Sequence, residues 1–208
     1  MRITCTISGL SHGYGSQRLF DGIDAHAETG CIHTVSGANG SGKSTLLQIL
    51  SGALEPEKGN LQYGINDTAA ALEAIREQIA YVAPCEELPP EFSLIELIRM
   101  QQQFTGNSGL DSFLKMADYF GISAALDKPV GNYSTGMKQK AKFVLAFGTE
   151  RPVWLLDEPG SNLDAASCHL LHQLLLQSCT EKLIILASND AAELALGREL
   201  VSLTQGVK

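Results

Sequence analysis

The residues with the clearest capacity for chemistry are Gly37-Ala38-Asn39-Gly40-Ser41-Gly42-Lys43-Ser44-Thr45. Their spacing is G-x-x-x-x-G-K-[ST], and each part has a physical task. The glycines let the backbone curl until successive N–H groups point inward and form an anion nest. A helix opening at the end of such a loop adds free N-terminal amides and the positive end of its dipole. Lys43 brings a compact charge to the β- and γ-phosphates of a nucleotide. The Ser44 hydroxyl is a hard oxygen of the kind Mg²⁺ prefers. A second constellation is Val153-Trp154-Leu155-Leu156-Asp157-Glu158-Pro159, an apolar run that ends on two adjacent carboxylates. Neighbouring strand residues face opposite ways, so the two carboxylates have separate tasks. Asp157 is read as a ligand of Mg²⁺ through its water shell, and Glu158 as the base that polarises an attacking water.

These groups need elements to hold them. The β-branched run Cys31–Ser36 leads into the loop, and Lys43–Leu50 follows as a helix with Leu46, Leu47, Ile49 and Leu50 on its apolar side. Further strands are expected at Ile3–Ile7, Asn60–Tyr63, Ile79–Val82, Val153–Leu156 and Leu183–Ala187, and a helix over Ala165–Gln177. Alternation of strand and helix builds a parallel sheet, and ligands then sit beyond the C-terminal strand ends. Between Ser93 and Leu126 the pattern is helical, with a break at Thr105–Gly109, and reads as an insert in the α/β core.

Composition sets the limits. The chain has 208 residues, 44% of them hydrophobic and 18% charged, which is a globular composition. No apolar run approaches the roughly 20 residues of a membrane span, and Met1–Cys5 does not read as a secretion signal. Any membrane part is therefore expected from another chain. The net charge of −8 argues against nucleic acid as a partner. The five cysteines show no Cys-x-x-Cys pair, so they are expected to be core or surface filler in a reducing compartment.

Together these residues resemble the nucleotide-binding subunit of ABC transporters over nearly the whole chain. The carboxylates run on into Gly160-Ser161-Asn162-Leu163-Asp164, which looks like the family's D-loop. Tyr133-Ser134-Thr135-Gly136-Met137-Lys138-Gln139-Lys140, whose Ser134 lies 23 residues before Asp157, stands where the family has its L-S-G-G-Q signature. Tyr14 looks like the A-loop aromatic that stacks on adenine. The resemblance implies a P-loop NTPase fold of the α/β class, with N-terminal antiparallel strands and a helical subdomain. It implies one ABC ATPase domain over 1–208, with 1–84 and 150–208 as α/β core and 85–149 as helical subdomain. ATP and Mg²⁺ are the implied ligands. The ATP site is then split across a homodimer, or a pair with a related subunit, with Ser134, Thr135, Gly136 and Met137 of one copy facing the phosphate loop of the other. Separate transmembrane subunits, and a cytoplasmic place on the inner face of the membrane, follow from the same likeness. Two alternatives stay open: a soluble ABC ATPase serving assembly, and a slowly hydrolysing ATP-gated clamp.

The sequence departs from the family at three places. The signature keeps Ser134 and Gly136 but has Thr135 and Met137 for a glycine and the glutamine. The Q-loop glutamine is missing, where the chain reads Ala83-Pro84-Cys85-Glu86-Glu87, so that Glu86 or Glu87 could approach Mg²⁺ instead. The switch histidine is replaced by Asn189, which still donates a hydrogen bond but is never charged; turnover is expected to be slow rather than absent. His169 and His172 are expected to be packing or surface residues, and Phe92–Met100 either a docking surface or a plain amphipathic core helix.

Overall fold

The computed structural model describes residues 1–84, 86–105 and 109–203. The chain divides into two compact units, each described by itself below. One comprises Met1–Tyr81, Pro152–Glu158 and Leu174–Lys208, and the other Val82–Arg151 with Pro159–Gln173.

The first unit carries two sheets. Strands β1 (Ile3–Tyr14), β2 (Gln17–Glu28), β4 (Lys58–Ile65) and β5 (Thr68–Ala70) form an antiparallel sheet in the order β2-β1-β4-β5. The β4–β5 connection puts Asn66 and Asp67 in the left-handed region (φ 46 and 64), as a tight two-residue hairpin turn requires. β1 is longer than the expected Ile3–Ile7. It alternates with Ile3, Cys5 and Ile7 buried, then one extra residue enters between Ile7 and Leu10 and the parity changes. Gly9, at φ 60, supplies the bend. Leu10 and His12 thereby point inward, and the alternation that marks a strand in sequence is lost midway.

The second sheet holds β6 (Ile79–Val82), β7 (Val153–Asp157), β8 (Leu183–Ser188), β3 (Ile32–Gly37) and β9 (Arg198–Leu203), in that order. The β7–β8, β8–β3 and β3–β9 pairings are parallel, with Leu155 opposite Ile185 and Thr34 opposite Leu186. Every residue of β7 and β8 is buried, as in parallel strands covered on both faces. Helix α1 (Lys43–Leu50) buries Leu46, Leu47, Ile49 and Leu50 against Val35, Leu155, Ile185 and the inward residues of β1. The Tyr63 hydroxyl, fully buried, donates to Leu50 O at 2.7 Å and fastens the antiparallel sheet to the end of α1. Helix α2 (Leu72–Arg76) is a single short turn beyond β5.

The second unit is helical. It contains α3 (Leu94–Thr105), α4 (Leu110–Tyr119), α5 (Thr135–Phe147) and the first turns of α6 (Ala165–Ser178). Ser93 and Glu96 form a capping box at the start of α3: Glu96 Oε2 accepts from Ser93 N at 2.8 Å, and Ser93 Oγ accepts from Glu96 N at 3.4 Å. The core is aromatic, with Phe120 5.2 Å from Phe143 and Phe143 stacked on Phe147 at 5.5 Å. Residues 106–108 of the expected helix break, and Cys85, lie outside the described residues. In the expected docking stretch, Phe92 and Met100 are exposed while Leu94 and Ile98 are core, so only part of it faces solvent.

Candidate functional site

β3 delivers the chain to Gly37, and the loop turns through Gly40 and Gly42 into α1. Gly42, the residue before the helix, sits at φ 101, and a Cβ there would lie 3.2 Å from Leu19 Cβ and 3.3 Å from the Phe20 ring. No side chain among the described residues caps this helix end, so its first amides are left to the loop. Lys43 is 6% exposed, and its Nζ donates to Gly37 O at 2.8 Å and Ala38 O at 3.4 Å. The same Nζ lies 3.1 Å from Glu158 Oε1.

Glu158 follows the last residue of β7. Its N–H still donates to Ala187 O of β8 at 2.8 Å, while its φ of 45 turns it out of the strand's alternation. A non-glycine residue in the left-handed region costs about 1–3 kcal/mol and persists where its surroundings enforce it. The result is not the simple opposite-facing pair expected of adjacent strand residues. Asp157 is buried on the sheet and hydrogen-bonded to Ser44, and Glu158 swings toward Lys43. Burial pushes the Asp157 carboxyl up, with Glu158 adding to it, against the Ser44 hydrogen bond and the Lys43 charge. Its Oδ1 is buried without a hydrogen-bond partner among the described residues.

A cavity of about 350 Å³ gathers Tyr14, Asn39, Gly40, Gly42, Lys43, Ser44, Thr45 and Glu158, with Leu19 of β2 as an unforeseen wall. Gly37, Ser41 and Asp157 are not among the residues that line it. Ser41 is buried and its hydroxyl has no partner among the described residues. Asn189 follows β8 and donates from Nδ2 to Asn39 Oδ1 at 2.7 Å, which ties the end of β8 to the glycine-rich loop. Its position is braced by Asp190, whose Oδ1 caps α7 (Ala191–Leu194) by accepting from Ala192 N at 2.7 Å.

The remaining expected residues lie in the second unit. Ser134 is the N-cap of α5, and its Oγ accepts from Met137 N at 3.2 Å. Thr135 opens the helix, and a Cβ on Gly136 would sit 3.1 Å from Asn162 O, so the glycine lets the D-loop stretch approach. Gln139, which sequence reasoning did not single out, is 3% exposed and donates to Pro159 O at 3.0 Å, joining α5 to the same stretch. Where the glutamine of the Q-loop is missing, Lys142 Nζ donates to Ala83 O at 3.0 Å and Pro84 O at 3.1 Å. The Glu86 carboxylate accepts from Ala83 N at 3.3 Å, closing the loop on itself. No sequence signal marked Gln139 or Lys142, because their partners are 20 and 58–59 residues away.

A parallel sheet whose strand ends carry an uncapped, glycine-rich phosphate loop and a carboxylate pair defines a P-loop nucleotide-binding protein. The family model for "ABC transporter" matches residues 20–161. The chain belongs to the ABC transporter family, as its ATP-binding subunit. Among similar proteins is the cytochrome c biogenesis ATP-binding export protein CcmA of Mesorhizobium japonicum, 32% identical over 93% of this chain and 93% of the relative. The protein of the same name from Rhizobium meliloti is 34% identical over 80% of this chain and 81% of the relative. A solved ATP-binding subunit of an ABC transporter superposes with a TM-score of 0.81 at 26% identity, covering 95% of this chain and 85% of that one. A bacterial ABC transporter cassette solved as a dimer shares the fold, with a TM-score of 0.83 at 19% identity and 98% of both chains covered. The family binds and hydrolyses ATP. No helix among the described residues is long and apolar enough to cross a membrane.

Proposed function

We propose that this subunit hydrolyses ATP at the interface of a dimer and drives export through separate membrane-spanning chains, working peripherally on the inner face of the membrane. The observation that carries the chemical half is the 3.1 Å approach of Glu158 to Lys43 at the floor of the phosphate cavity. Lys43 and the loop amides bind the β- and γ-phosphates, and Tyr14, 56% exposed at the cavity edge, offers a face to adenine. Ser44 and Asp157 fit Mg²⁺: a hydroxyl is bonded to a buried carboxylate whose Oδ1 has no hydrogen-bond partner among the described residues. When bound, the cation supplies charge neutralisation on the phosphates. Glu158 accepts the proton of the attacking water, and Asn189, held at Asn39, donates a hydrogen bond to the γ-phosphate.

The split site rests on Ser134–Met137 acting from the partner copy. Ser134 already satisfies one helix-end amide of α5, so the offer to a phosphate comes from its hydroxyl and the amides that remain. An uncharged Asn189 supports slow turnover in the isolated chain. The relatives' description as export proteins of cytochrome c biogenesis supports an exporter as the membrane partner.

The test is Glu158→Gln with ATP and Mg²⁺, measured by size-exclusion chromatography with light scattering. The variant is expected to stay dimeric while turnover falls about 10²–10⁴-fold. A strictly monomeric variant under saturating ATP would overturn the shared site. Co-purification of the chain with membranes and an integral membrane protein checks the transport half, and recovery of an exclusively soluble complex sinks it.

A further inference from the structure

We propose that His12 is a positioning residue for the base-binding platform: it lies against Tyr14, fixes the tilt of that ring, and couples it through Phe20 to the end of the phosphate loop at Gly42. This rests on the reading of Tyr14 as the surface that receives adenine. The geometry begins with the bend at Gly9, which shifts β1 by one residue and turns His12 inward. His12 is 6% exposed, whereas Tyr14, two residues on, is 56% exposed. The two rings meet edge to face, with centroids 5.2 Å apart and planes at 85°. On its other side His12 lies 6.4 Å from Phe20, its cross-strand partner on β2. Phe20 in turn lies close to Gly42, where an added Cβ would stand 3.3 Å from its ring. Tyr14, His12, Phe20 and Gly42 thus form one packed line from the base face to the first turn of α1.

Neither nitrogen of His12 has a hydrogen-bond partner among the described residues. Buried polar atoms left unpaired work against stability, so an apolar ring would serve the fold better. What the histidine does supply is an aromatic edge contact that restricts a partly exposed tyrosine. A stacking ring that is already oriented loses less freedom when a base arrives. The contact is of a size to change affinity roughly twofold to tenfold.

The experiment measures ATP and inorganic tripolyphosphate binding calorimetrically on the full chain, in His12→Leu, His12→Phe, Tyr14→Ala and the His12→Leu/Tyr14→Ala double variant. His12→Leu is expected to weaken ATP about twofold to tenfold and leave tripolyphosphate unchanged. His12→Phe is expected to restore ATP affinity and to melt no lower than the native chain. In the Tyr14→Ala background the cost of His12→Leu should vanish, because the ring it positions is gone. If Tyr14→Ala leaves ATP affinity unchanged, the base-platform reading itself falls and the role of His12 with it. If Tyr14→Ala weakens ATP but His12→Leu does nothing, or costs the same in both backgrounds, or weakens tripolyphosphate equally, His12 is packing and only this inference is overturned.

Discussion

The two units contain nearly the same lysine arrangement with different consequences. In the first, Lys43 holds two carbonyls at the end of β3, Gly37 O and Ala38 O, with the Glu158 carboxylate beside it. In the second, Lys142 holds two carbonyls just after β6, Ala83 O and Pro84 O, with Glu86 acting on the same loop. The charges match, and the backbones do not. The loop after β3 curls through Gly40 and Gly42 at positive φ and runs straight into a helix whose first amides have no side-chain cap. The loop after β6 contains Pro84, which has no N–H to give, and spends the Ala83 N–H on Glu86. Its lysine comes from the middle of α5, well past the amides at that helix's start. A lysine on two carbonyls becomes an anion site only where the backbone supplies donors. Without them it is a clamp.

The sharpest test of that difference is the pair of lysine-to-alanine variants. Lys43→Ala removes a charge-assisted phosphate contact worth about 1.5–3 kcal/mol, so ATP affinity should drop roughly tenfold to 10²-fold or more by calorimetry. Lys142→Ala should alter ATP affinity less than about threefold while lowering the melting temperature, because two loop carbonyls lose their donor. An equal loss of ATP binding in both would mean that the second lysine also faces the nucleotide.

Next in size is Asn189→Ala. The amide bonds Asn39 of the glycine-rich loop, and on the proposed reading its loss removes a fixed donor to the γ-phosphate. Turnover should fall on the order of 10²-fold with little change in ATP affinity. A parallel loss of affinity would show that Asn189 shapes the loop rather than assisting the reaction.

The contrast between the two loops also marks what the sequence reveals. The phosphate loop is legible because every requirement is local: glycines, Lys43 and Ser44 lie within one turn and its flanks. Helix α1 and strand β6 fall at the expected residues for the same reason. β1 is only half legible, since the residue inserted near Gly9 reverses the alternation that announces a strand. β2, β5 and β9 were not expected. Each ends its sheet or carries mixed burial, so no period-2 pattern forms. The positions of Asp157 and Glu158 were legible, but their geometry was not: the left-handed turn at Glu158 comes from its hydrogen bond to β8 and the pull of Lys43. The clamp by Lys142, the Gln139 link and the seat of His12 join residues distant in sequence or depend on an irregular strand. Composition and spacing carry no trace of such contacts.

The helix starts offer a smaller test. α1 opens on an uncapped glycine, while α5 opens on Ser134, whose hydroxyl is bonded to Met137 N. Ser134→Ala should destabilise the chain by about 1 kcal/mol in chemical denaturation. Ser134→Asp, which can also cap, should restore stability but place a negative charge where a partner's phosphate would come. If ATP-dependent dimerisation of the Glu158→Gln chain survives Ser134→Asp unchanged, α5 does not meet nucleotide across an interface.

The smallest expected effect concerns Glu86, the counterpart of Glu158 in the second loop. Its residue surface remains largely open, yet its carboxylate folds back on the Ala83 N–H. Desolvation pushes this carboxyl above the ordinary range, and the Ala83 hydrogen bond and the Lys142 charge only partly oppose it. A carboxyl raised on folding favours the folded state while it is protonated. That contribution is full below the ordinary carboxylate range and is lost as pH rises through the raised value. At neutral pH the ionised Glu86 is therefore a mild burden, one that solvent at its open side keeps small. Glu86→Gln keeps an acceptor for Ala83 N without the charge. It should melt slightly above the native chain at neutral pH, with the difference shrinking as the pH is lowered toward 4. A difference of the opposite sign, or one that grows in acid, would mean that Lys142 and Ala83 outweigh desolvation, and that this loop is built to hold an ionised carboxylate.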